Sequence, residues 1–164
     1  MKKIFVLSVI LMLLNTPSLL AEGNKTGFGN LSNDGQKPIE AVADKMIVDS
    51  DQSQAELTGN VEIIQGHMHL YADFVQVIYD DDQSDIRKLY AKQNVILISG
   101  EDRASADEAD YDLDRGTVVL KGNASIVQDG NTARAQQAEI NIDTGATTLS
   151  GRVRTILQPI DDAD

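Results

Sequence analysis

The chain repeats itself, and that constrains it more than any other feature. Ala43-Asp44, Ala72-Asp73, Ala106-Asp107 and Ala135-Gln136 mark four starts, spaced 29, 34 and 29 residues apart. Eight residues past each start stands an aspartate: Asp51, Asp80, Asp114 and Asp143. Leu57, Leu120 and Leu149 follow three of the starts at fourteen residues, and Gly59, Gly122 and Gly151 at sixteen. Asn60 and Asn123 come directly after two of those glycines, and the longer second unit resumes at Asn94-Val95. A period of this length implies stacked supersecondary units that share one continuous core.

Within each unit the apolar residues alternate with polar ones, as in Leu57, Val61 and Ile63, or Val75, Val77 and Tyr79. Period two is the signature of a strand with one buried face, and no window of comparable length keeps a helical period. Turn residues punctuate the runs at Asp49-Ser50-Asp51, Gln65-Gly66, Asp80-Asp81-Asp82, Arg115-Gly116, Asp129-Gly130 and Thr144-Gly145. About eight long strands joined mostly by hairpins are expected. The apolar parity flips at every repeat start: Met68, Leu70 and Ala72 are even, whereas Val75 and Val77 are odd. One extra residue at the same place in each repeat predicts a β-bulge or corner where the strand bends and keeps the same side inward. The expected fold is all-β: an antiparallel β-jellyroll of two facing sheets with an open apolar groove, built from about sixteen short strands.

The ends read differently from the body. Lys2 and Lys3 precede an apolar run over residues 4–14, and Pro17 and Ser18 lead to Ala21. This is the layout of a cleavable signal peptide over residues 1–21, because a membrane span needs about 20 apolar residues. Residues 22–37 are rich in Gly, Asn and Ser and read as a flexible arm. Residues 38–159 form the single domain, and residues 160–164 an acidic tail. The expected fate is therefore export. With no cysteine, an exported chain must hold its fold by sheet pairing and packing alone. The formal charge of −12 becomes −14 when Lys2 and Lys3 leave. Nucleic acid, which selects basic surfaces, is a poor partner for such a chain.

Chemistry has few footholds. Asp110, Asp112 and Asp114 before Gly116 suggest a calcium loop, but Arg115 and Lys121 stand where an EF-hand needs its glycine and its bidentate glutamate. A calcium-stabilised or purely structural β-repeat is the rival reading. His67 and His69 share a strand face without an evident third ligand, which favours surface histidines over a metal site. No catalytic motif is present, so an enzyme is not expected, nor a cofactor.

Several segments resemble the LptA/OstA family: Pro38-Ile39-Glu40-Ala41-Val42-Ala43-Asp44, Leu57-Thr58-Gly59-Asn60-Val61-Glu62-Ile63-Ile64-Gln65-Gly66 and Leu70-Tyr71-Ala72-Asp73. So do Leu120-Lys121-Gly122-Asn123-Ala124 and Arg152-Val153-Arg154-Thr155-Ile156-Leu157-Gln158-Pro159. Together they span residues 38–159. The resemblance implies a periplasmic carrier of lipopolysaccharide that shields the acyl chains of lipid A. It also implies an LptC-like partner at the inner membrane and an LptD-like translocon at the outer membrane.

Near the first repeat, strand parity and the resemblance agree on the residues that would line the groove: Ile39, Ala41, Met46, Val48, Leu57, Val61 and Ile63. Parity alone adds Met68, Leu70, Val75, Val77, Val95, Leu97, Tyr111, Leu113, Leu120, Ile126, Ile140, Leu149 and Val153. The first and last strands would be unpaired edges, so head-to-tail self-association is expected as well.

Overall fold

A computed structural model describes residues 34–158. The expected signal peptide, the acidic tail and the arm up to residue 33 lie outside the described residues. Ten antiparallel strands form one sheet: β1 (Ile39–Val42), β2 (Lys45–Asp49), β3 (Gln54–Gln65), β4 (Met68–Tyr79), β5 (Ile86–Ser99), β6 (Asp102–Asp112), β7 (Thr117–Gln128), β8 (Asn131–Asn141), β9 (Thr147–Ser150) and β10 (Arg154–Ile156). Each long strand pairs with the next in the chain. β1 and β2 both pair with β3 at one edge, and β9 and β10 both pair with β8 at the other. The turns fall where glycine and aspartate placed them. Asp129 and Gly130, with φ of 48° and 75°, make the two-residue link between β7 and β8, a geometry that asparagine, aspartate and glycine adopt at least cost.

Every ladder between two long strands slips register near its middle, as between Thr58 and Val61 or between Lys121 and Ala124, and the β4–β5 ladder slips a second time between Ile78 and Tyr79. The central slips align into a spine across the sheet. On alternate strands the spine is a pair of left-handed residues: Gly59-Asn60 in β3, Gln93-Asn94 in β5, Gly122-Asn123 in β7 and Gly151-Arg152 between β9 and β10. On the strands between them it is a single residue: Asp44, Asp73, Asp107 or Gln136. Side chains tie the two kinds together. The amides of Asn60, Asn94 and Asn123 donate to Asp44, Asp73 and Asp107 at 2.8, 2.7 and 2.8 Å. The repeat seen in the sequence is this alternation.

Two residues against one is a bulge, and it bends the strand without breaking it. The count of strands is therefore ten, not the expected sixteen or so, because the six long strands stay continuous through their corners. Bending brings the two halves of the sheet face to face. Residues on the inward side of both halves, such as Leu57 and Ile63 of β3 or Val75 and Leu70 of β4, belong to one apolar cluster. The described residues contain no helix, so only the sheet's own other half can cover this face. Burial at or near zero exposure for Ile63, Val75, Leu97, Leu120 and Ile140 means the halves close on each other.

One end of the expected flexible arm is ordered. Residues 34–37 form a turn that packs across the side opposite the spine. The Asp34 carboxylate is buried and accepts the His67 backbone N–H at 2.7 Å. Gly66 must lack a side chain there, since its φ is 62° and a Cβ would lie within the Asp34 carboxylate.

Candidate functional site

The inward face is the one large apolar surface the fold creates. Thirteen of the twenty residues expected on it are buried there: Leu57, Val61, Ile63, Met68, Leu70, Val75, Val77, Val95, Leu97, Tyr111, Leu120, Ile126 and Ile140. Ile39, Leu113 and Leu149 are partly buried and pack against them. The remaining four, Ala41, Met46, Val48 and Val153, are exposed and not enclosed with the others. The reason is positional. In β2, Met46 pairs with Leu57 and Val48 with Ala55, so both have the inward parity. They lie on the outermost strand, where no neighbour covers them.

Parity reading left out Leu89, Ala91, Ala104, Ala109, Val118 and Ile142, all buried in the same cluster. Their alternation with Tyr90, Asp110 or Val119 carried the signal, but alanines are weak markers of an apolar face.

The side opposite the spine is the mouth, where the hairpin tips of the two halves meet. Here the interior turns polar. Tyr111 donates from its hydroxyl to Gln65 Oε1 at 2.8 Å, a bond that joins the two halves. Gln65 Nε2 donates in turn to the carbonyls of Gly35 and Lys37, both at 3.1 Å. Burial, with Asp143 and Asp34 nearby, pushes the Tyr111 hydroxyl up to about 12. Desolvation, then the charges of Asp129 and Glu101, likewise raise the Asp102 carboxyl. Among the described residues, Ser99 Oγ is buried without a hydrogen-bond partner. Beside the Gln65 bridge lies a cavity of about 540 Å³ lined by Pro38, Ile39, Gln65, Tyr79, Ile86 and Leu113. It opens to solvent beside the partly buried Ile39 and Leu113.

The two open edges are the other approach. Among the described residues, seven of the eight large apolar residues that stand exposed lie on them: Val42, Met46, Ile47 and Val48 at the β1–β2 edge, and Val153, Ile156 and Leu157 at the β10 edge. Exposed edges with apolar side chains are strong templates for pairing with another chain.

Several titratable groups outside the slot are paired with each other. His67 Nδ1 lies 3.3 Å from Asp34, and His69 Nδ1 lies 2.9 Å from Glu62 while its ring stacks on Tyr71. The bond from His69, then that from Tyr71, holds the Glu62 carboxyl below the usual carboxylate range. The aspartates that suggested a calcium loop are engaged as well, Asp112 with Lys88 at 3.1 Å and Asp110 with Lys121. Among the described residues, no group of three or more His, Cys, Asp or Glu is placed to hold a metal ion.

A bent antiparallel sheet closed on its own apolar face, with a mouth along one side and free edges at both ends, is the class of all-β fold this chain defines. Residues 40–146 match the family model described as LptA/(LptD N-terminal domain) LPS transport protein, and the chain belongs to that family. The solved structure of LptH from Pseudomonas aeruginosa, the LptA homologous periplasmic component of a lipopolysaccharide transport device, superposes with a TM-score of 0.71. That match covers 77% of this chain and 99% of LptH at 19% identity, so it speaks for the fold. An uncharacterized protein of Rhizobium meliloti (strain 1021) is 29% identical over 110 residues. The match covers 63% of this chain and 59% of that relative's length.

Proposed function

We propose that this chain is a periplasmic carrier that holds the acyl chains of lipopolysaccharide between the two halves of a jellyroll-like sheet. It passes them along a bridge from an LptC-like protein at the inner membrane to an LptD-like translocon at the outer membrane. The observation that carries the reading is one unbroken apolar face, running from one free edge to the other and reached through a mouth. Transfer between two apolar slots needs no covalent chemistry. An acyl chain of about twelve carbons gains on the order of 10 kcal/mol when taken out of water, at roughly 0.8 kcal/mol per methylene. That gain must exceed the cost of parting a closed core, and the polar bridge at the mouth is where parting would begin. Head-to-tail association of copies would extend the slot, since the apolar residues left bare at each edge would then be covered. Sugars and phosphates would remain outside the mouth in solvent.

Photo-crosslinking to purified lipopolysaccharide tests this. A photoreactive residue is placed at Leu70, which is buried in the slot, at Leu113, which lines the mouth cavity, and at His69, which faces outward. Adducts at Leu70 and Leu113 but not at His69 are expected. Adducts confined to His69 would move binding to the outer face and end the slot reading. Adducts at none of the three would end the carrier reading altogether.

A further inference from the structure

Five polar or charged residues are buried among the described residues: Asp34, Gln65, Ser99, Asp102 and Thr117. Three of them are bonded within the fold. Asp34 accepts the His67 N–H, Gln65 joins Tyr111 to the turn at residues 34–37, and Thr117 donates from Oγ1 to the Arg115 carbonyl at 3.1 Å. The other two stand side by side. Ser99 closes β5 and Asp102 opens β6, and the two are directly opposed across the Gly100-Glu101 turn. Ser99 is 1% exposed and Asp102 is 7% exposed, yet Ser99 Oγ has no hydrogen-bond partner among the described residues. On the Asp102 carboxyl act burial and then the like charges of Asp129 and Glu101, with no cation or hydrogen bond among the described residues to offset them. A buried polar group left unpaired is costly, and native folds keep few of them. Two such groups on neighbouring strands contribute nothing to this core that a pair of apolar side chains would not do better.

Their position says what they would meet. Gln65, Met68, Ser99 and Asp102 are successive partners across four strands, so they form one inward row, the last before the hairpin tips of their half of the sheet. The next row inward is Ile63, Leu70, Leu97 and Ala104, wholly apolar and buried. At Gln65 the outer row meets the other half through Tyr111 and borders the mouth cavity. At a strand spacing of about 4.8 Å, Ser99 lies about 10 Å and Asp102 about 14 Å along the lip from Gln65. An acyl chain lying on the apolar rows therefore brings its first polar atoms to the row that holds Ser99 and Asp102.

The two side chains also select the kind of atoms. A serine hydroxyl donates and accepts, whereas a carboxylate only accepts. A ligand group that serves both carries a donor N–H and an acceptor oxygen close together, which is a secondary amide. An ester or an ether offers acceptors alone and leaves the carboxylate without a donor. We infer that Ser99 and Asp102 form a polar subsite at the mouth for the amide that links an acyl chain to its headgroup, with Asp102 accepting from the amide N–H and Ser99 donating to its carbonyl. The inference rests on the carrier reading above and specifies which linkage the slot prefers.

Two probes with the same tail length and the same sugar test it: N-decanoylglucosamine, joined by an amide, and decyl glucoside, joined by an ether. Each is titrated calorimetrically, below its micelle concentration, into the parent protein and into Ser99→Ala and Asp102→Leu. The parent is expected to bind the amide probe several-fold more tightly than the ether. Each variant should lose roughly threefold to tenfold in affinity for the amide, the scale of one hydrogen bond, and nothing for the ether. Urea midpoints of both variants should equal or exceed the parent's, because neither side chain has a partner in the fold to lose. Equal affinity of the parent for the two probes would overturn the subsite, as would a variant that loses both probes alike. A lower midpoint in Ser99→Ala would overturn it too, since the hydroxyl would then be bonded within the fold. Binding of neither probe also overturns it; lipopolysaccharide adducts at Leu70 that persist would confine that failure to the linkage, whereas their loss as well would indict the carrier reading.

Discussion

Replacing Gly122 by alanine tests the corner that organises the whole fold. Gly122 sits in β7 with φ of 74°, opposite Asp107 of β6. An alanine there meets two costs. The first is conformational: a residue with a Cβ loses about 1–2 kcal/mol in the left-handed region. The second is a collision, since the new Cβ would lie 3.0 Å from Asp107 Cβ and closer still to its carboxylate. The carboxylate can swing away, but doing so gives up the 2.8 Å bond from Asn123, about 0.5–1.5 kcal/mol. Asp107 Cβ cannot retreat without moving the strand. The sum is about 2–4 kcal/mol. Gly130→Ala is the control. Its φ is 75°, but the nearest atom to a Cβ would be Gln158 Cγ at 3.7 Å, an ordinary contact. It should lose only the conformational cost, about 1–2 kcal/mol. Urea unfolding followed by far-ultraviolet circular dichroism gives both values from the shift in midpoint at constant slope. If Gly122→Ala costs no more than Gly130→Ala, the tie between the left-handed pair and its opposing aspartate does not hold the corner, and the account of the spine is wrong.

Two further predictions concern the mouth and the outer face. Tyr111→Phe removes the donor to Gln65 Oε1 and leaves a buried acceptor unpaired, which should cost about 1–3 kcal/mol at neutral pH. The folded state holds the Tyr111 proton up to about 12 against an ordinary 10.0, so stability from this group is complete below pH 10.0 and is lost as pH rises toward 12. Titrating urea midpoints through that range should show a decline in the parent protein that is shallower in Tyr111→Phe, and parallel curves would count against the assignment. At the acid end, the Glu62 carboxyl is held below its ordinary 4.5 by His69 and then Tyr71. Its contribution is present above pH 4.5 and fades as pH falls through the lowered value. Glu62→Gln should therefore lose less melting temperature than the parent on acidification below pH 4.5; an equal loss would mean that the pair contributes nothing in solution.

Much of the architecture was legible because it depends on local pattern. Alternation in Val75, Val77 and Tyr79 named the strands, and the parity flip at Asp73 marked the corner. Lining residues in the middle strands, such as Leu70 and Leu120, followed from the same alternation. Burial at the edges did not follow, because it is a property of neighbours and not of sequence. Met46, Val48 and Val153 carry inward parity but have no strand beyond them to cover them. The polar bridge was invisible for a different reason. Gln65 and Asp34 look like turn residues, and only the folding of one half onto the other brings Gln65 to Tyr111, 46 residues away. The role of the glycines at 59, 122 and 151 lay between these cases: their period was evident, but the partner that forbids a side chain was not.

The two long sides of this sheet are closed by different means. Along the spine, the backbone itself crosses from one half to the other in every long strand. Along the mouth no long strand crosses, and the Tyr111–Gln65 bond with the short turn at residues 34–37 spans the gap. Such a cross-section is a gutter tied at its lip by a few hydrogen bonds, not a pipe. A pipe must be threaded from an end and rejects whatever is bulkier than its bore. A gutter can be loaded sideways at any point, and an appendage of any length can trail through the slit while the part inside slides.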